Sequence, residues 1–346
     1  MVINFVMSSY VESKIFNDII SYFRIYSKFR IIVTKNPIKN ANSYYYFRPH
    51  LESKIKDHSI VTVHHDLEED DQKLNLNLFL NRYKECKLII CLNSNQQKIL
   101  KKYNIYNSLI IPHGYNKKLL YKKKKVKEKI NIGFFSSFYP RGVKGENYML
   151  NLFKKLPREK FHFTLVGKKR KVLAKELNLL GYECEVYENI PYRFFIKLYQ
   201  KIDCLLIVSN FEGGPASLPE SLATGTPVVT TKVGMANDFT NKEVIFLSKN
   251  SNNDRKIFLN FEENISKLNN NDIINKLITW QRVISLYDES FQNYSNSNPI
   301  KKIDIIIYKL YEIKYKTIIF IKYFFRKAYL FPFTLFNIIK LILKNE

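Results

Sequence analysis

The chain has 346 residues, which is more than a single hydrophobic core usually serves, so we expect two domains of ordinary size. Hydrophobic residues make up 46% of the sequence, enough for packed cores, and this excludes a largely disordered chain. The formal net charge of +25 is compatible with nucleic acid, anionic lipid or phosphorylated small molecules as partners, and it does not choose among them.

The first part of the chain alternates short apolar runs with helical patterns, which predicts strand–helix units and a parallel sheet. Strands are predicted at residues 3–7, 30–34, 59–63, 87–92 and 108–111, and helices at 13–26, 72–83 and 94–103. The run at 3–7 is too short for a signal-peptide core. A lysine-rich stretch at 121–127 then interrupts the pattern. It indicates a solvated linker because no nucleic-acid module accompanies it, so the N-terminal domain is predicted at 1–122.

The same alternation resumes after the linker and predicts a second domain at 123–292. Its strands are predicted at 130–135, 162–166, 183–187, 204–208, 227–231 and 244–246, and its helices at 145–156, 169–180, 193–200 and 216–224. We therefore expect an α/β protein with two Rossmann-like, doubly wound domains facing a cleft. In such sheets ligands bind beyond the carboxyl ends of the strands.

The remaining residues, 293–346, form a basic, aromatic and helical tail. Residues 301–346 carry ten Lys or Arg against three acids, and the longest uncharged run, 328–339, is too short to span a bilayer. A contact with an anionic membrane surface is predicted, and a tail that packs on the cores is the alternative. The four cysteines have no paired spacing, which indicates reduced thiols. Together these features predict a cytoplasmic protein, peripheral on the inner face of the plasma membrane.

The segment from residue 204 to 229 is the most informative. An apolar strand leads to a glycine pair, a helix follows, and the helix stops at Gly225. Glycines let the backbone approach a ligand, and a helix start presents unpaired N–H groups at a positive dipole end. For the glycines alone a simple turn is the better interpretation, but the whole segment predicts a phosphate site. Its predicted donor-binding residues are Gly213, Gly214, Pro215, Ala216, Ser217 and Leu218.

Two glutamates flank this phosphate site. A carboxylate is a poor neighbour for a pyrophosphate unless it accepts hydrogen bonds from hydroxyl groups, which indicates sugar and ribose. Glu220 lies one turn into the helix, roughly 6–8 Å from its start at 1.5 Å per residue, a suitable gap between phosphate and ribose. Glu212, before the helix, could reach the hexose.

Glu212 and Glu220, with Gly213-Gly214-Pro215 between them and residues 221–229 after them, resemble the E-x7-E segment of glycosyltransferase family 4. The resemblance implies a retaining hexosyltransferase of GT-B fold. It also implies that Glu212 faces the donor sugar, Glu220 holds the ribose diol and the intervening amides bind the pyrophosphate. The expected reaction moves a hexose from a nucleotide-diphosphate sugar to a lipid-linked or growing glycan acceptor in polysaccharide biosynthesis, with no cofactor.

Further segments resemble the same family. The segment that starts at Gly133, together with Lys144-Gly145, resembles the strand and loop that supply an arginine and a lysine to the leaving phosphates. Ser137 stands at the arginine position, and Arg141 is the nearest substitute. Lys144 and Arg141 would offset the charge of the leaving diphosphate, and two exposed loop cations are the alternative.

In the N-terminal domain, the family places a histidine near the reacting sugar, and His64 or His65 could be that residue. Adjacent strand side chains point in opposite directions, so only one is expected to face the cleft. His113 stands in a segment resembling Ile-Pro-Asn-Gly-Val-Asp and is interpreted as part of a cleft-wall turn. Residues 279–287 resemble the family's late helix, which crosses back to the first domain.

The acids at 68–71 follow no metal-ligand spacing, so a metal-independent enzyme is predicted. A non-catalytic or epimerase-type nucleotide-sugar-binding protein is the alternative function, because the arginine and a glycine pair in the first loop are missing. Nucleic-acid binding is supported by charge alone and is not expected.

Overall fold

The computed structural model describes residues 1–7, 14–69, 76–119, 128–190 and 192–296, together with positions 306–308, 310, 311, 313, 317 and 321. The chain forms two compact units. The first contains Met1–Gly114 and the described residues from Ile278 onward, and the second contains Tyr115–Leu277. These units differ from the sequence-based domains at residues 115–119, which the structure groups with the second unit, and at residues 278–292, which it groups with the first.

The first unit is built on a parallel sheet with helices in its connections. Its strands are β1 (Val2–Val6), β2 (Arg30–Thr34), β3 (Ser43–Tyr46), β4 (Ser59–Thr62), β5 (Leu88–Cys91) and β6 (Ser108–Ile110), and its helices include α1 (Lys14–Tyr26), α2 (Leu76–Glu85) and α3 (Ser94–Lys102). The strand order is β2-β1-β3-β4-β5-β6. Five of these strands match the predicted ones to within one residue, and β3 was not predicted.

Strand β3 consists mainly of tyrosines that the fold buries. Tyr44 and Tyr46 face one hydrophobic core of the unit, and Tyr45 faces the other. The hydroxyl of Tyr44 donates to Ile38 O at 2.8 Å, and that of Tyr46 accepts from Lys56 N at 3.2 Å. Because each hydroxyl has a partner, the aromatic rings can be buried on both faces of the sheet.

The second unit repeats this architecture. Its strands are β7 (Ile130–Phe135), β8 (Phe161–Val166), β9 (Glu183–Tyr187), β10 (Cys204–Ile207), β11 (Val228–Thr231) and β12 (Ile245–Leu247), and the order is β12-β11-β10-β7-β8-β9. Its helices are α4 (Glu146–Phe153), α5 (Lys171–Leu179), α6 (Tyr192–Lys201), α7 (Ser217–Ala223), α8 (Ser251–Leu259), α9 (Phe261–Ser266) and α10 (Asn270–Lys276). Hydrophobic cores lie on both faces of the sheet. The two sheets confirm the predicted α/β class with two Rossmann-like halves.

The late helix, α11 (Trp280–Tyr294), belongs to the first unit. It buries one apolar face, with Trp280, Ile284, Tyr287 and Phe291 in the core that also holds α1. Trp280 stacks on a ring of α1, Tyr22, at 4.7 Å between centroids. The first unit therefore takes its core from residues near both ends of the described chain.

Candidate functional site

The carboxyl ends of β7 and β10 lie side by side in the second unit. β7 pairs with β8 on one side and with β10 on the other, and β10 pairs with β11 on its far side. The connection that follows β7 therefore runs to one side of the sheet, and the connection that follows β10 runs to the other. Such a switch point in an α/β sheet leaves a crevice where ligands bind. The loops that follow these strands, residues 136–145 and 208–216, contain most of the predicted donor-site residues.

An ion pair joins the two loops. Lys144 Nζ donates to Glu212 Oε1, and Ser209 Oγ donates to the same oxygen at 2.8 Å. Only 15% of the Lys144 side chain and 14% of the Glu212 side chain are exposed. The Tyr139 ring lies 5.5 Å from Lys144 Nζ. The structure thus brings together the lysine assigned to the leaving phosphates and the glutamate assigned to the sugar.

Two glycines allow the backbone to come this close. At Gly145, where φ is +77°, an added Cβ would lie 1.9 Å from Val208 O. At Gly234, where φ is +50°, it would lie 2.6 Å from Glu212 O. Gly234 follows β11 and was not singled out in the sequence, because its role depends on a contact with the loop after the neighbouring strand, β10.

Arg141, the second cation predicted at the leaving phosphates, lies in a more exposed environment than Lys144. Arg141 is exposed and has a φ of +74°, in the left-handed region that few non-glycine residues adopt. Ser137, at the expected arginine position, accepts a hydrogen bond through its carbonyl oxygen from Arg170 Nη2 at 2.9 Å. The role of Arg141 at the leaving phosphates therefore remains a prediction. The arginine that forms a hydrogen bond with Ser137 is Arg170.

Arg170 is fully buried, and the sequence analysis missed it. Its guanidinium donates to Ser136 O at 2.6 Å and to Glu146 Oε1 at 2.7 Å, and it lies over the Phe134 ring at 4.6 Å. Burial lowers the pKa of Arg170, and the Glu146 carboxylate opposes this shift. Arg170 thus links the residues just after β7 to the first residue of α4, Glu146, which follows Lys144 by two positions in the chain.

Glu220 lies in α7 and is 8% exposed. The hydroxyl of Tyr199, from α6, donates to Glu220 Oε2 at 2.9 Å. No sequence pattern indicated this tyrosine. The start of α7 at Ser217 places Pro219 in the first helical turn, where its missing N–H leaves no intrahelical hydrogen bond unmade.

The other predicted donor residues fall into two groups. Gly214 and Ala216, in the loop before α7, and Ser217, the first residue of α7, are partly exposed, whereas Gly213, Pro215 and Leu218 are buried. Gly133 is also buried, inside β7, and an added Cβ there would lie 2.4 Å from Ile202 Cδ1. An added side chain at position 133 would therefore crowd Ile202, and the donor-binding role of Gly133 stays a prediction.

The two candidate histidines of the first unit lie on opposite sides of the sheet. His64 contacts the ring of Phe16 at 5.0 Å between centroids, and His65 contacts that of Phe79 at 4.0 Å. Burial lowers the pKa of His65 to about 4 and that of His113 to about 4. Burial, followed by the charge of His113, also holds the pKa of His64 well below its usual range. These rings are neutral at pH 7.

No group of three or more His, Cys, Asp or Glu side chains suited to a metal ion occurs in the described part of the chain. Of the acidic cluster noted in the sequence, Glu68 and Glu69 are described, whereas Asp70 and Asp71 lie outside the described residues. The first loop, at residues 8–12, also lies outside them.

Residues 116–270 match the family model described as glycosyl transferases group 1. This segment contains the Lys144–Glu212 pair and Glu220, and the match supports the glycosyltransferase superfamily. Comparison with curated protein sequences finds no match.

Solved structures share the fold at low sequence identity. Anabaena HepE, solved in complex with UDP-glucose, is 16% identical with a TM-score of 0.68 and covers 85% of this chain and 100% of its own. Sucrose-phosphate synthase from Thermosynechococcus elongatus is 11% identical with a TM-score of 0.68, covering 84% and 98%. The lipopolysaccharide outer core galactosyltransferase WaaB is 12% identical with a TM-score of 0.59, covering 85% and 99%. With the two parallel sheets, these similarities show an α/β protein of GT-B fold.

Proposed function

We propose that this protein is a retaining, metal-independent glycosyltransferase of family 4 that moves a hexose from a nucleotide-diphosphate sugar to a glycan or lipid-linked acceptor. The observation that carries the proposal is the Lys144–Glu212 pair at the switch point between β7 and β10. The family match over 116–270 supports the reaction class. HepE, which shares the fold, is described with UDP-glucose.

The predicted site residues of the second unit have separate roles in this proposal. Lys144, aided by Arg141, offsets the negative charge that grows on the leaving diphosphate. Glu212 accepts hydrogen bonds from the hexose hydroxyls, and Glu220 accepts them from the ribose diol. The amides of residues 213–218 hold the pyrophosphate. In the first unit, the family resemblance offers His64 or His65 for contact with the hexose.

The reaction exchanges one bond at the anomeric carbon. The bond to the diphosphate oxygen breaks, and its electron pair leaves with the nucleoside diphosphate. The acceptor hydroxyl oxygen forms the new bond on the same face of the sugar and loses its proton to the leaving diphosphate. The products are the glycoside, with its anomeric configuration retained, and the nucleoside diphosphate.

Water can serve as the acceptor in a direct test. The protein is incubated with UDP-α-glucose, UDP-α-galactose, UDP-α-N-acetylglucosamine or GDP-α-mannose in the presence of EDTA, and early products are followed by NMR. We expect the α-anomer of one free sugar to appear before mutarotation. Release of the β-anomer would contradict retention, an epimerised donor would identify an epimerase, and donor binding without turnover would identify a non-catalytic protein.

We also propose that the tail contacts an anionic membrane surface. Most of residues 309–346 lie outside the described residues, but Ile306, Leu310 and Ile313 are described in helical conformation and are 57%, 61% and 60% exposed. Their spacing places them on one helix face. Tyr308, on the same segment, is buried in the first unit and donates to Lys39 O at 2.6 Å. Within the described residues, no helix is long and apolar enough to cross a bilayer.

Removal of residues 309–346 is expected to release the protein from vesicles that contain phosphatidylglycerol, because the deletion removes exposed apolar side chains and an excess of basic residues. Co-sedimentation measures the bound fraction, with pure phosphatidylcholine vesicles as the control. Equal binding of the full and shortened chains would refute the membrane contact.

A further inference from the structure

Tyr199 and Glu220 form a buried pair between α6 and α7. Tyr199 is 1% exposed, and its hydroxyl donates to Glu220 Oε2 at 2.9 Å. A buried tyrosine hydroxyl needs a partner, but a neutral backbone carbonyl satisfies it at lower cost than a carboxylate, which must itself be taken from water. The hydrogen bond therefore links the Glu220 carboxylate of α7 to a buried side chain of α6.

Tyr199 is held in place independently of Glu220. Thr226 Oγ1 donates to its carbonyl oxygen at 2.9 Å, and Thr224 Oγ1 donates to Thr226 Oγ1 at 3.0 Å. The ring of Phe135, the last residue of β7, lies 4.9 Å from the Tyr199 ring between centroids. Because the loop after α7 and strand β7 both hold the tyrosine, its hydroxyl is a rigid donor for the carboxylate.

The tyrosine reaches Glu220 from within a hydrophobic core. Tyr199 belongs to the same core cluster as Leu218 and Leu222, which lie on α7 on either side of Glu220. A hydrogen bond to a carboxylate is shorter and stronger than one between neutral groups. Tyr199 therefore restricts the rotation of the carboxylate, and a ligand that binds it loses less conformational entropy.

We propose that Tyr199 is a positioning residue that fixes the Glu220 carboxylate for the ribose diol of the donor nucleotide. The inference rests on the proposed function, since it takes Glu220 as the ribose-binding residue. It adds α6 to the nucleotide-recognition site and gives the protein a means of distinguishing ribonucleotides from analogues that lack the 2′ and 3′ hydroxyls.

The test compares two nucleotides in two proteins. Of UDP, GDP and ADP, the one that binds the wild type most tightly is used, together with its 2′,3′-dideoxy form, and the dissociation constants are measured by calorimetry. In the wild type, the dideoxy form is expected to bind at least about tenfold more weakly. Tyr199→Phe is expected to weaken the ribonucleotide roughly three- to tenfold and to leave the dideoxy form within about twofold.

Tyr187→Phe is the matched control. Tyr187 is also fully buried in the second unit, and its hydroxyl donates to the carboxylate of Glu185 at 2.7 Å. That carboxylate has no proposed contact with the nucleotide. The control is therefore expected to leave the preference for the ribonucleotide unchanged.

A double-variant comparison covers the case in which Tyr199→Phe alone fails to fold. The double variant, Glu220→Gln with Tyr199→Phe, contains no buried carboxylate that has lost a hydrogen-bond donor. Its affinity for the ribonucleotide is compared with that of the single variant Glu220→Gln. Equal affinities are expected if Tyr199 acts through Glu220. A further loss in the double variant would overturn the inference.

The outcomes separate this inference from the proposed function. If the wild type binds both nucleotides equally, the ribose role of Glu220 fails, and with it the inference. If the wild type prefers the ribonucleotide but Tyr199→Phe keeps that preference, or weakens both nucleotides equally, only the positioning role of Tyr199 is overturned.

Discussion

Replacing Gly145 with alanine is expected to destabilise the second unit by about 3 kcal/mol or more, and to separate Lys144 from Glu212. The new Cβ would lie 1.9 Å from Val208 O, a backbone atom that cannot move without distorting the loop after β10. The backbone at Gly145 also has a φ of +77°, which an L side chain adopts at a cost of about 1–2 kcal/mol. Steric overlap and backbone strain therefore add at this position.

Gly142 offers a matched control three residues earlier. Its φ is +64°, but an added Cβ would meet no heavy atom within 4 Å. Gly142→Ala should therefore cost only the backbone term, about 1 kcal/mol. Unfolding in urea, followed by circular dichroism, compares the two variants. Equal losses of stability would show that the approach of Gly145 to Val208 is not what the fold requires.

Lys144→Met is expected to lower the rate of sugar release from the donor by about 100- to 1,000-fold, the effect of removing one group that stabilises developing charge. Methionine keeps much of the apolar stem and removes the ammonium. Glu212 would keep the hydrogen bond from Ser209 Oγ at 2.8 Å, so the carboxylate is expected to stay near its present place. The initial rate of α-anomer formation is the measurement.

Lys154→Met is the control for this experiment. Lys154 follows α4 in the same unit, and it is exposed. Its replacement changes the net charge by the same amount and is expected to leave the rate within about twofold, since surface substitutions away from a site have small effects. A similar loss in both variants would mean that overall charge, and not the Lys144 ammonium, sets the rate.

The strands could be predicted because parallel strands buried on both faces form continuous apolar runs. β7 and β9 agree with their predicted ranges, while β3 was missed because its apolar character comes from tyrosines. A buried tyrosine hydroxyl usually takes a hydrogen-bond partner, and such partners, for example Ile38 O for Tyr44, are set by tertiary structure.

The residues of the candidate site also fall into two groups, those that a local sequence pattern could predict and those that it could not. Glu212 and Glu220 lie in one local segment with its own pattern, so the sequence alone could indicate them. Tyr199 and Arg170 act through hydrogen bonds to residues more than 20 positions away, Glu220 and Glu146 respectively. No periodicity or spacing encodes such contacts, because they depend on which strands become neighbours in the sheet.

The placement of α11 has a consequence for how the protein can be divided. The second unit interrupts the first: the chain leaves the first unit after Gly114 and returns at Ile278. Among the described residues, the second unit is thus one continuous stretch, 115–277, that is inserted into the first. Residues 1–114 alone would lack Trp280, Tyr287 and Phe291, whose rings cover α1 and the sheet. A fragment of residues 1–114 would therefore lack part of the core of the first unit, whereas residues 115–277 contain all the described residues of the second unit.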